Sequence, residues 1–418
     1  MDADPRAILL ELLHAAVAAA SAERCVPSNL PEPPRGRTVV VGAGKASAAM
    51  AKTVEDRWPG KLNGLVVTRY GHGEPCKQIE VVEAGHPVPD EAGLEAARRI
   101  LDSVANLTRD DLVLALISGG GSALLTLPAP SISLAEQRLL TAALIKSGAP
   151  IAEINCVRKH LSAIKGGRLA LAAAPASVAT LIISDVPGDD PALVASGPTM
   201  PDPTTSADAA GILHDRGITA PESVAAWLKN PESETPKPGD PAFARVDTRI
   251  IASSRAAIAE SARIAGAAGL VVHNLGDLEG EARMLARDHA QMALQLQREG
   301  KAQLILSGGE TTVTVRGDGN GGRNTEYLLA LAGALDGADG VWALACDTDG
   351  IDGTEDNAGA IVAPDTVRRA AALGLRADAA LAQNDSYGFF AGLGDLIVTG
   401  PTRTNVNDFR AILIAGRR

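Results

Sequence analysis

The stretch VVVGAGKASAAM, residues 39–50, runs from an apolar segment through a glycine turn into a helical pattern. The stretch LVLALISGGGSALL, residues 112–125, repeats this arrangement with three consecutive glycines. An apolar run that ends in a glycine turn and continues as a helix is typical of βαβ units, in which parallel strands alternate with helices. These two stretches therefore predict an α/β fold with a largely parallel sheet.

The same alternation continues along the rest of the chain. Apolar residues make up 46% of the sequence but aromatic residues only 2%, so Ala, Val, Leu and Ile must fill a core of sheets covered by helices. The predicted strands are 38–41, 65–68, 112–117, 180–183, 249–252, 270–273, 303–306, 341–345 and 396–399.

The length of 418 residues predicts two domains, because one hydrophobic core seldom grows so large. Residues 229–247 are polar, rich in proline and break both periodicities, which favours a linker there. The alternative is a long surface loop inside one domain. We expect an N-terminal domain over residues 1–235 with a parallel sheet and helices on both faces. A smaller C-terminal α/β domain would then cover residues 245–418.

Charge and cysteine content bound the partners and the compartment. The net charge is −11 and no long basic run occurs, so a nucleic-acid partner is not expected. The four cysteines match neither a zinc spacing nor a CxxC pair, which favours reduced thiols and a cytoplasmic location. The first twenty residues lack the pattern of a signal peptide, and no window reaches the ~20 apolar residues of a membrane span.

Lys45 stands at the end of the first predicted strand, where open α/β sheets bind their ligands. A lysine at a helix N-terminus is unfavourable unless it faces an anion, so Lys45 is a candidate for phosphate binding, with Gly44 beside it. The motif is not a Walker A loop, which requires GxxxxGK[ST]. It is also a poor dinucleotide fingerprint, because Ser47 replaces the third glycine and Arg69 stands where an acid would bind ribose.

The second predicted turn carries a row of unobstructed backbone N–H groups that could cradle phosphate or carboxylate oxygens. A flexible turn without function is the alternative. The candidate residues of this cradle are Ser118, Gly119, Gly120, Gly121 and Ser122.

Carboxylates follow two further predicted strands. They suit Mg²⁺ or a base that accepts a hydroxyl proton, although many such residues only cap helices or fix turns. The first group is Asp185, Asp189 and Asp190, and the second is Asp347, Asp349 and Asp352.

A long glycine-rich loop precedes Arg323 and Asn324, which begin a predicted helix. An arginine in that position can clamp a transferring phosphoryl group through two hydrogen bonds. His86 and His160 either touch substrate or are structural. A basic helical segment forms a partly solvated face or contributes one or two residues to an anion cleft; its cations are Arg158, Lys159, Lys165 and Arg168.

Together these segments resemble the class II glycerate 2-kinase family, which joins an N-terminal Rossmann-like glycerate kinase domain to a C-terminal MOFRL domain. The motifs that carry the resemblance occur in the family's order: GAGKASAAMA, GHPVPDEAG, ISGGGSALL, VRKHLSAIKGGRLA, SDVPGDDPALVASGPT, GGRNTEYLLALA, DTDGIDG and TGPTRTNVNDF.

The resemblance implies ATP-dependent phosphorylation of the 2-hydroxyl of D-glycerate, giving 2-phosphoglycerate and ADP in an interdomain cleft, with Mg²⁺ as cofactor. It also implies that Lys45 and Arg323 are the active-site cations. We assign Asp189 to orienting or deprotonating the hydroxyl. The phosphate and substrate contacts are assigned to Gly44, His86, Glu310, Asn324 and the 118–122 turn, and the metal to Asp347 or Asp349.

Two other functions remain open on the sequence. Members of this family are sometimes labelled hydroxypyruvate reductase, so an NAD(P)H-dependent reductase is the first alternative. A non-catalytic sensor of a phosphorylated metabolite is the second. In each case the partners are small molecules, no membrane is involved, and a homo-oligomer is compatible with the sequence.

Overall fold

The computed structural model describes residues 4–416. The strands are β1 (Thr38–Ala43), β2 (Asn63–Arg69), β3 (Ile79–Ala84), β4 (Leu112–Ser118), β5 (Ser177–Ser184), β6 (Val246–Ser253), β7 (Val271–Asp277), β8 (Gly280–Glu281), β9 (Gln303–Gly308), β10 (Thr311–Thr312), β11 (Val341–Asp347), β12 (Gly359–Val362), β13 (Leu396–Ile397) and β14 (Asp408–Ile414). The helices are α1 (Pro5–Ala19), α2 (Ala22–Cys25), α3 (Ser47–Arg57), α4 (Glu91–Val104), α5 (Gly121–Leu124), α6 (Leu134–Lys146), α7 (Ile151–His160), α8 (Arg168–Ala173), α9 (Ser206–Asp215), α10 (Glu222–Trp227), α11 (Ser254–Ala267), α12 (Ala282–Gln297), α13 (Arg323–Leu335), α14 (Thr366–Ala372), α15 (Ala377–Gln383) and α16 (Ser386–Leu393).

The described chain forms two compact units. We call residues 22–251 the N-terminal unit, and residues 4–21 with 252–416 the C-terminal unit. The sheet of the N-terminal unit has the order β3-β2-β1-β4-β5-β6, and the pairs from β3 through β5 are parallel. This is the strand order of Rossmann folds, so the predicted fold class is confirmed.

Helices cover both faces of this sheet. Every residue of β1 is buried. Val39, Val41 and Ala43 pack in one apolar cluster with α4, and the alternate residues Val40 and Gly42 must point to the opposite face. A strand that is buried on both faces requires a helical layer on each side, which explains the continuous apolar run in its sequence.

The sheet of the C-terminal unit has the order β13-β12-β11-β14-β9-β7. Only the β7–β9 pair is parallel, while the other four neighbouring pairs are antiparallel. The expectation of a largely parallel sheet was therefore wrong for this half of the chain. The cause is β14, a strand missing from the prediction, which lies at the centre of the sheet between β11 and β9 and runs antiparallel to both.

The first helix belongs to the C-terminal unit although it opens the chain. It packs against α11, β11 and β14 with Leu9, Leu12 and Leu13 buried, and the Ser261 hydroxyl donates to the Leu12 carbonyl at 2.8 Å. Among residues 4–416, no single helix is long and apolar enough to cross a membrane. One pair of helical segments, Pro5–Ala19 and Ala22–Asn29, reaches the required length and composition when the two are taken together, but the pair is bent by 54°.

The proline-rich segment 229–247 packs within the N-terminal unit. It contains the short 3₁₀ helices Pro231–Ser233 and Pro241–Arg245, and its buried Thr235 hydroxyl donates to the Asp202 carboxylate at 3.1 Å. The chain passes from one unit to the other further on, between Ile251 and Ala252. Specific polar contacts therefore hold this segment in place, which its composition alone did not indicate.

Candidate functional site

Two turns of the N-terminal unit meet at the carboxyl ends of β1 and β4. The strands are parallel neighbours, so the turns that follow them lie side by side. The backbone N–H of Lys45 donates to the Gly119 carbonyl at 2.8 Å. The backbone N–H of Ala46 donates to the Ser118 hydroxyl at 3.0 Å. These bonds hold the first turn, residues 42–46, against the second turn, residues 118–122.

The first turn uses its own N–H groups for this contact. The Gly44 N–H donates to the Val67 carbonyl at 3.1 Å, which leaves none of the three N–H groups of residues 44–46 for a ligand. Gly44 has φ +139°, and a Cβ there would collide with the Ser118 hydroxyl. Gly44 is therefore required for the close approach of the two turns. The phosphate contact that the sequence predicts at this turn would have to come from the Lys45 side chain, because the backbone N–H groups are already bonded.

The second turn presents the opposite situation. Within the described part of the chain, the backbone N–H groups of Gly120, Gly121 and Ser122 have no protein acceptor. Gly120 has φ +79°, a conformation that favours glycine and turns the following N–H groups to one side. Consecutive N–H groups without an internal acceptor form an anion-binding nest. The predicted cradle is thus available in the structure.

The side chains of Lys45 and His86 lie beside Gly120 of this nest. A Cβ added to Gly120 would be 3.0 Å from Nε2 of His86 and 3.3 Å from Cγ of Lys45. Glycine at this position therefore leaves room for both side chains. The structure brings together three features that the sequence singled out separately: the lysine, the histidine and the triple-glycine turn.

A hydrogen-bonded chain supports the nest from the other side. The Ser122 and Ser196 hydroxyls are 2.9 Å apart, and Ser196 donates to the Asn155 side-chain oxygen at 2.8 Å. Ser196 and the preceding Ala195 have φ of +60° and +52°, which non-glycine residues seldom adopt. Such strain often occurs at functional sites. Sequence reasoning missed Ser196 and Asn155, although Ser196 lies in a motif that carries the family resemblance and Asn155 lies two residues before another.

Asp189 lies in the turn after β5. Because β5 runs parallel to its neighbour β4, this turn lies at the same edge of the sheet as the nest. Asp189 has φ +56°, and its N–H donates to the Val186 carbonyl at 3.0 Å. The adjacent Asp190 carboxylate accepts from the Ala192 N–H at 2.9 Å, which is a turn-fixing role.

Two of the four cations in the basic segment around α7 are buried, whereas Arg158 and Arg168 are half-buried. Lys159 is 5% exposed and pairs with Asp202 at 3.3 Å. Lys165 is 1% exposed and donates to the Leu125 carbonyl. Burial, with a smaller contribution from the charge of Arg158, lowers the pKa of Lys165 to about 7.

His160 is structural. It is fully buried, its Nδ1 is 2.9 Å from the Cys156 carbonyl, and burial lowers the pKa of its ring. The Trp227 indole N–H donates to the His160 carbonyl at 2.8 Å.

In the C-terminal unit, Arg323 is the first residue of α13 and is held by three carboxylates. Its Nε donates to Asp408 at 2.7 Å, its Nη2 donates to Asp347 at 2.9 Å, and its Nη1 pairs with Glu310. Burial alone would lower the pKa of Arg323, but the charges of Asp408, Asp347 and Glu310 raise it well above its ordinary value. The guanidinium is permanently charged and fixed in direction.

The register of β11 and β14 explains why a cation is needed there. Asp347 and Asp408 are directly opposite each other in this antiparallel pair, an arrangement that repels unless a cation lies between them. Arg323 supplies that cation. Asp408 also accepts from the Asn324 side-chain amide at 2.8 Å and from Arg410 at 2.8 Å.

Asn324 and Asp352 hold the start of α13. Asn324 is fully buried and directs its amide donors at Asp408 and Asp352, while its Oδ1 has no partner among residues 4–416. Asp352 accepts from the N–H groups of Asn324 and Thr325 at 2.9 and 2.8 Å. Asp352 therefore caps the N-terminus of α13, which is the structural role that the sequence analysis offered as the alternative to metal binding.

The two carboxylates assigned to the metal differ in their surroundings. Asp349 is 1% exposed, and its carboxylate accepts from the Ile351 N–H at 2.9 Å. Asp347 lines a cavity of the C-terminal unit together with His14 and Thr402. No group of three or more His, Cys, Asp or Glu side chains within the described range could hold a metal ion. Because Mg²⁺ usually takes one or two carboxylates and otherwise phosphates and waters, Asp347 fits a metal that arrives with a nucleotide.

Comparison with known proteins adds the family. Residues 8–229 match the model of a domain of unknown function, DUF4147, and residues 303–408 match the MOFRL family. A protein of Thermotoga maritima named D-glycerate 2-kinase is 41% identical over 408 residues, which is 96% of each chain. The chain belongs to the class II glycerate kinase family.

Two further comparisons concern a solved structure and a second named relative of this chain. A crystal structure of glycerate kinase from Thermotoga maritima matches with a TM-score of 0.89 and 40% identity, covering 98% of this chain and 99% of that one. A protein of Agrobacterium vitis, provisionally named hydroxypyruvate reductase, is 55% identical over 421 residues, or 99% of this chain and 95% of the relative. Relatives of this chain are therefore named either glycerate kinase or hydroxypyruvate reductase, and the geometry of the site is the evidence that distinguishes the two activities.

Proposed function

We propose that this protein is an ATP-dependent D-glycerate 2-kinase that forms 2-phosphoglycerate and ADP. The observation that carries the proposal is the nest of three N–H groups, residues 120–122, with the Lys45 and His86 side chains beside Gly120. A transferring phosphoryl group spreads negative charge over its oxygens, and fixed N–H donors with a nearby cation stabilise that charge. Relatives named glycerate 2-kinase support the same reaction.

In this proposal the nest and Lys45 hold phosphoryl oxygens, and His86 contacts the substrate. The donors are fixed by backbone geometry, so they need no reorganisation when charge develops. Phosphoryl transfer requires little covalent help from the protein, and positioning with charge neutralisation supplies most of the rate.

Arg323 is the second cation of the proposal. Two of its carboxylate partners are buried: the Asp408 side chain has no exposed surface and the Asp347 side chain is 8% exposed. The Glu310 side chain, in contrast, is 50% exposed. Exposed ion pairs contribute little, so Glu310 is the partner that a phosphate oxygen can replace. Asp347 and Asp408 would keep the guanidinium in place while one edge of it binds the phosphate.

Two carboxylates take the remaining roles. Asp189 is proposed to orient the 2-hydroxyl or accept its proton, because its turn lies at the same edge of the sheet as the nest. Asp347 would hold Mg²⁺, which enters with ATP and neutralises phosphate charge. We also propose a cytoplasmic location, since Cys25, Cys76, Cys156 and Cys346 are all free thiols in the structure.

The reductase alternative rests on the name of the Agrobacterium vitis relative. Against it, the N–H groups of Gly44, Lys45 and Ala46 already donate to protein atoms and cannot bind the pyrophosphate of a dinucleotide at that turn. Ser47 is also buried, and its hydroxyl donates to the Val67 carbonyl at 2.6 Å. Mixing the protein with NADH or NADPH and hydroxypyruvate should leave the nicotinamide absorbance unchanged. Rapid oxidation of the nicotinamide without ATP would reject the kinase.

The direct test is an ADP-release assay across small hydroxy acids, with the position of the new phosphate read by phosphorus NMR. We expect ADP release with D-glycerate and phosphate on its 2-oxygen. A metabolite sensor would instead show ligand-induced thermal stabilisation without turnover.

Two variants test the assigned cations. Lys45→Ala and Arg323→Lys should each lower kcat by about 10³-fold or more, because each removes a group that neutralises transferred charge. Lysine at position 323 keeps a positive charge between Asp347 and Asp408, so the fold is retained. Lys61→Ala, on an exposed residue of the N-terminal unit, is the matched control and should behave as wild type. Near-wild-type rates in both active-site variants, with unchanged circular dichroism, would reject the assignment.

A further inference from the structure

A pocket of the N-terminal unit lies beside the nest and has a cationic lining. We call it the arginine pocket; the polar side chains that matter in it are Ser122, Arg138, Arg158, Lys165 and Gln137. None of its lining residues is Asp or Glu, although the chain carries a net charge of −11. Two arginines and a lysine without an acid in one concave site create a positive local potential, which attracts an anion.

The donors of the arginine pocket are largely unused by the protein. Arg158 makes no hydrogen bond or ion pair with residues 4–416, and Nε of Arg138 is buried without a partner. Buried donors are normally paired, so Nε of Arg138 calls for an acceptor from outside the chain, and the half-buried guanidinium of Arg158 is available to the same acceptor. Oε1 of Gln137 is likewise buried and unpaired, and a half-turn of that amide would present an N–H donor to the pocket.

The charges of the pocket act on one another. Burial lowers the pKa of Arg158, and burial together with the charge of Arg158 lowers that of Lys165 to about 7. Asp90, which caps α4, interacts electrostatically with Arg138 but does not line the pocket. A bound anion would relieve the repulsion between neighbouring cations.

The position of the pocket indicates which anion it suits. Ser122 belongs both to the arginine pocket and to the nest, so the two anion sites are adjacent. In a 2-hydroxy acid the carboxylate and the oxygen that receives phosphate are attached to the same carbon. Such a substrate needs one site for a carboxylate directly beside one for a phosphoryl group. The cavity volume of about 30 Å³ accommodates a carboxylate but not a nucleobase.

We propose that the arginine pocket binds the carboxylate of the acceptor, with Arg158 and Arg138 as the residues that select a 2-hydroxy acid over a neutral polyol. The inference rests on the proposed kinase reaction and names the group that this site recognises. A phosphate of the nucleotide has related chemistry and is the other source of anion that the experiment must distinguish.

The test compares Arg158→Gln with Arg98→Gln, a matched change at an exposed arginine of α4 that pairs only along its own helix. Arg158→Gln should raise the KM for D-glycerate by about 10- to 100-fold, the loss of one charge-assisted hydrogen bond, and leave the KM for ATP unchanged. Arg158→Lys should recover part of that loss. Thermal unfolding and circular dichroism of each variant show whether the fold is kept.

A binding measurement separates this inference from the reaction itself. Calorimetric titration with D-glycerate and with the neutral D-glyceramide should show a preference for the acid in wild type and in Arg98→Gln, and none in Arg158→Gln. If wild type shows this preference without releasing ADP, the kinase proposal fails and the carboxylate pocket stands. A raised KM for ATP alone would assign the pocket to the nucleotide phosphate and overturn the inference. Unchanged constants in a folded Arg158→Gln would overturn it as well.

Discussion

Asp408→Asn should destabilise the C-terminal unit strongly, because one buried carboxylate compensates two guanidinium groups. Asp408 has no exposed side-chain surface and accepts from Arg323 at 2.7 Å and from Arg410 at 2.8 Å. Arg410 is itself 1% exposed. Asparagine keeps the shape of the side chain, removes the charge, and replaces one acceptor oxygen with an N–H donor that would face the donors now bonded to it.

The magnitude follows from the burial of these groups. Removing one partner of a buried ion pair destabilises by about 3–5 kcal/mol, because the other charge stays buried without compensation. Arg323 keeps Asp347 as a partner and Arg410 keeps the Ser307 hydroxyl and the Gly308 carbonyl, which places the expected loss near the lower end, about 3 kcal/mol. For a unit of this size that corresponds to a fall in Tm of roughly 6–12 °C.

Differential scanning calorimetry of wild type, Asp408→Asn and Asp378→Asn measures this effect. Asp378 pairs with Arg376 on the surface, with both side chains mostly exposed, so its replacement should leave Tm unchanged within error. The kcat of Asp408→Asn should also fall, because Asp408 positions Arg323. A Tm for Asp408→Asn equal to that of the control would refute the view that this carboxylate holds the network together.

Two further predictions concern the nest and a buried histidine. Gly120→Ala should lower kcat, because its Cβ would lie 3.0 Å from Nε2 of His86. The control is Gly148→Ala, which is also at positive φ but has open space around it; it should lose about 1–2 kcal/mol of stability at most and keep wild-type kcat. Equal kcat values in the two variants would argue against crowding at the nest. Burial, and then the charge of Arg410, lower the pKa of His289 from 6.5 to about 4. As the pH drops, His289 is therefore protonated in the unfolded chain before it is protonated in the folded protein, so the free energy of unfolding should fall between about pH 6.5 and pH 4. His289→Phe should reduce that fall by about 3 kcal/mol, measured by urea titration at each pH. An unchanged pH profile would show that His289 does not titrate in this window.

The two neighbouring turns of the N-terminal unit could be predicted because their signals are local. An apolar run, a glycine turn and a helix follow one another within a dozen residues at Lys45 and again at Ser118. The neighbouring order of β1 and β4 then brings the two turns together, as the rule for ligand sites in open sheets requires. Which of the two turns keeps its N–H groups unbonded was not predictable, because it depends on contacts between segments that are about 70 residues apart in the chain.

The carboxylate cluster around Arg323 in the C-terminal unit was predicted less completely for the same reason. Arg323, Glu310 and Asp347 were identified separately at a helix start and at strand ends. Asp408 was missed, because its role depends on the antiparallel register that places it opposite Asp347. No local pattern in NDFRAILI indicates that pairing. The buried arginine at position 410 also interrupts the apolar run that would have marked a central strand.

The packing of α1 has a consequence for how the protein is made. Leu9, Leu12 and Leu13 leave the ribosome about 240 residues ahead of their contacts on α11. At a synthesis rate of about 5–20 residues per second, this apolar surface waits on the order of 10–50 s for its partner. During that time the apolar surface of α1 stays open to other apolar surfaces. A circular permutant that begins at an exposed loop near residue 239 and joins the present ends would shorten the wait and should aggregate less during expression.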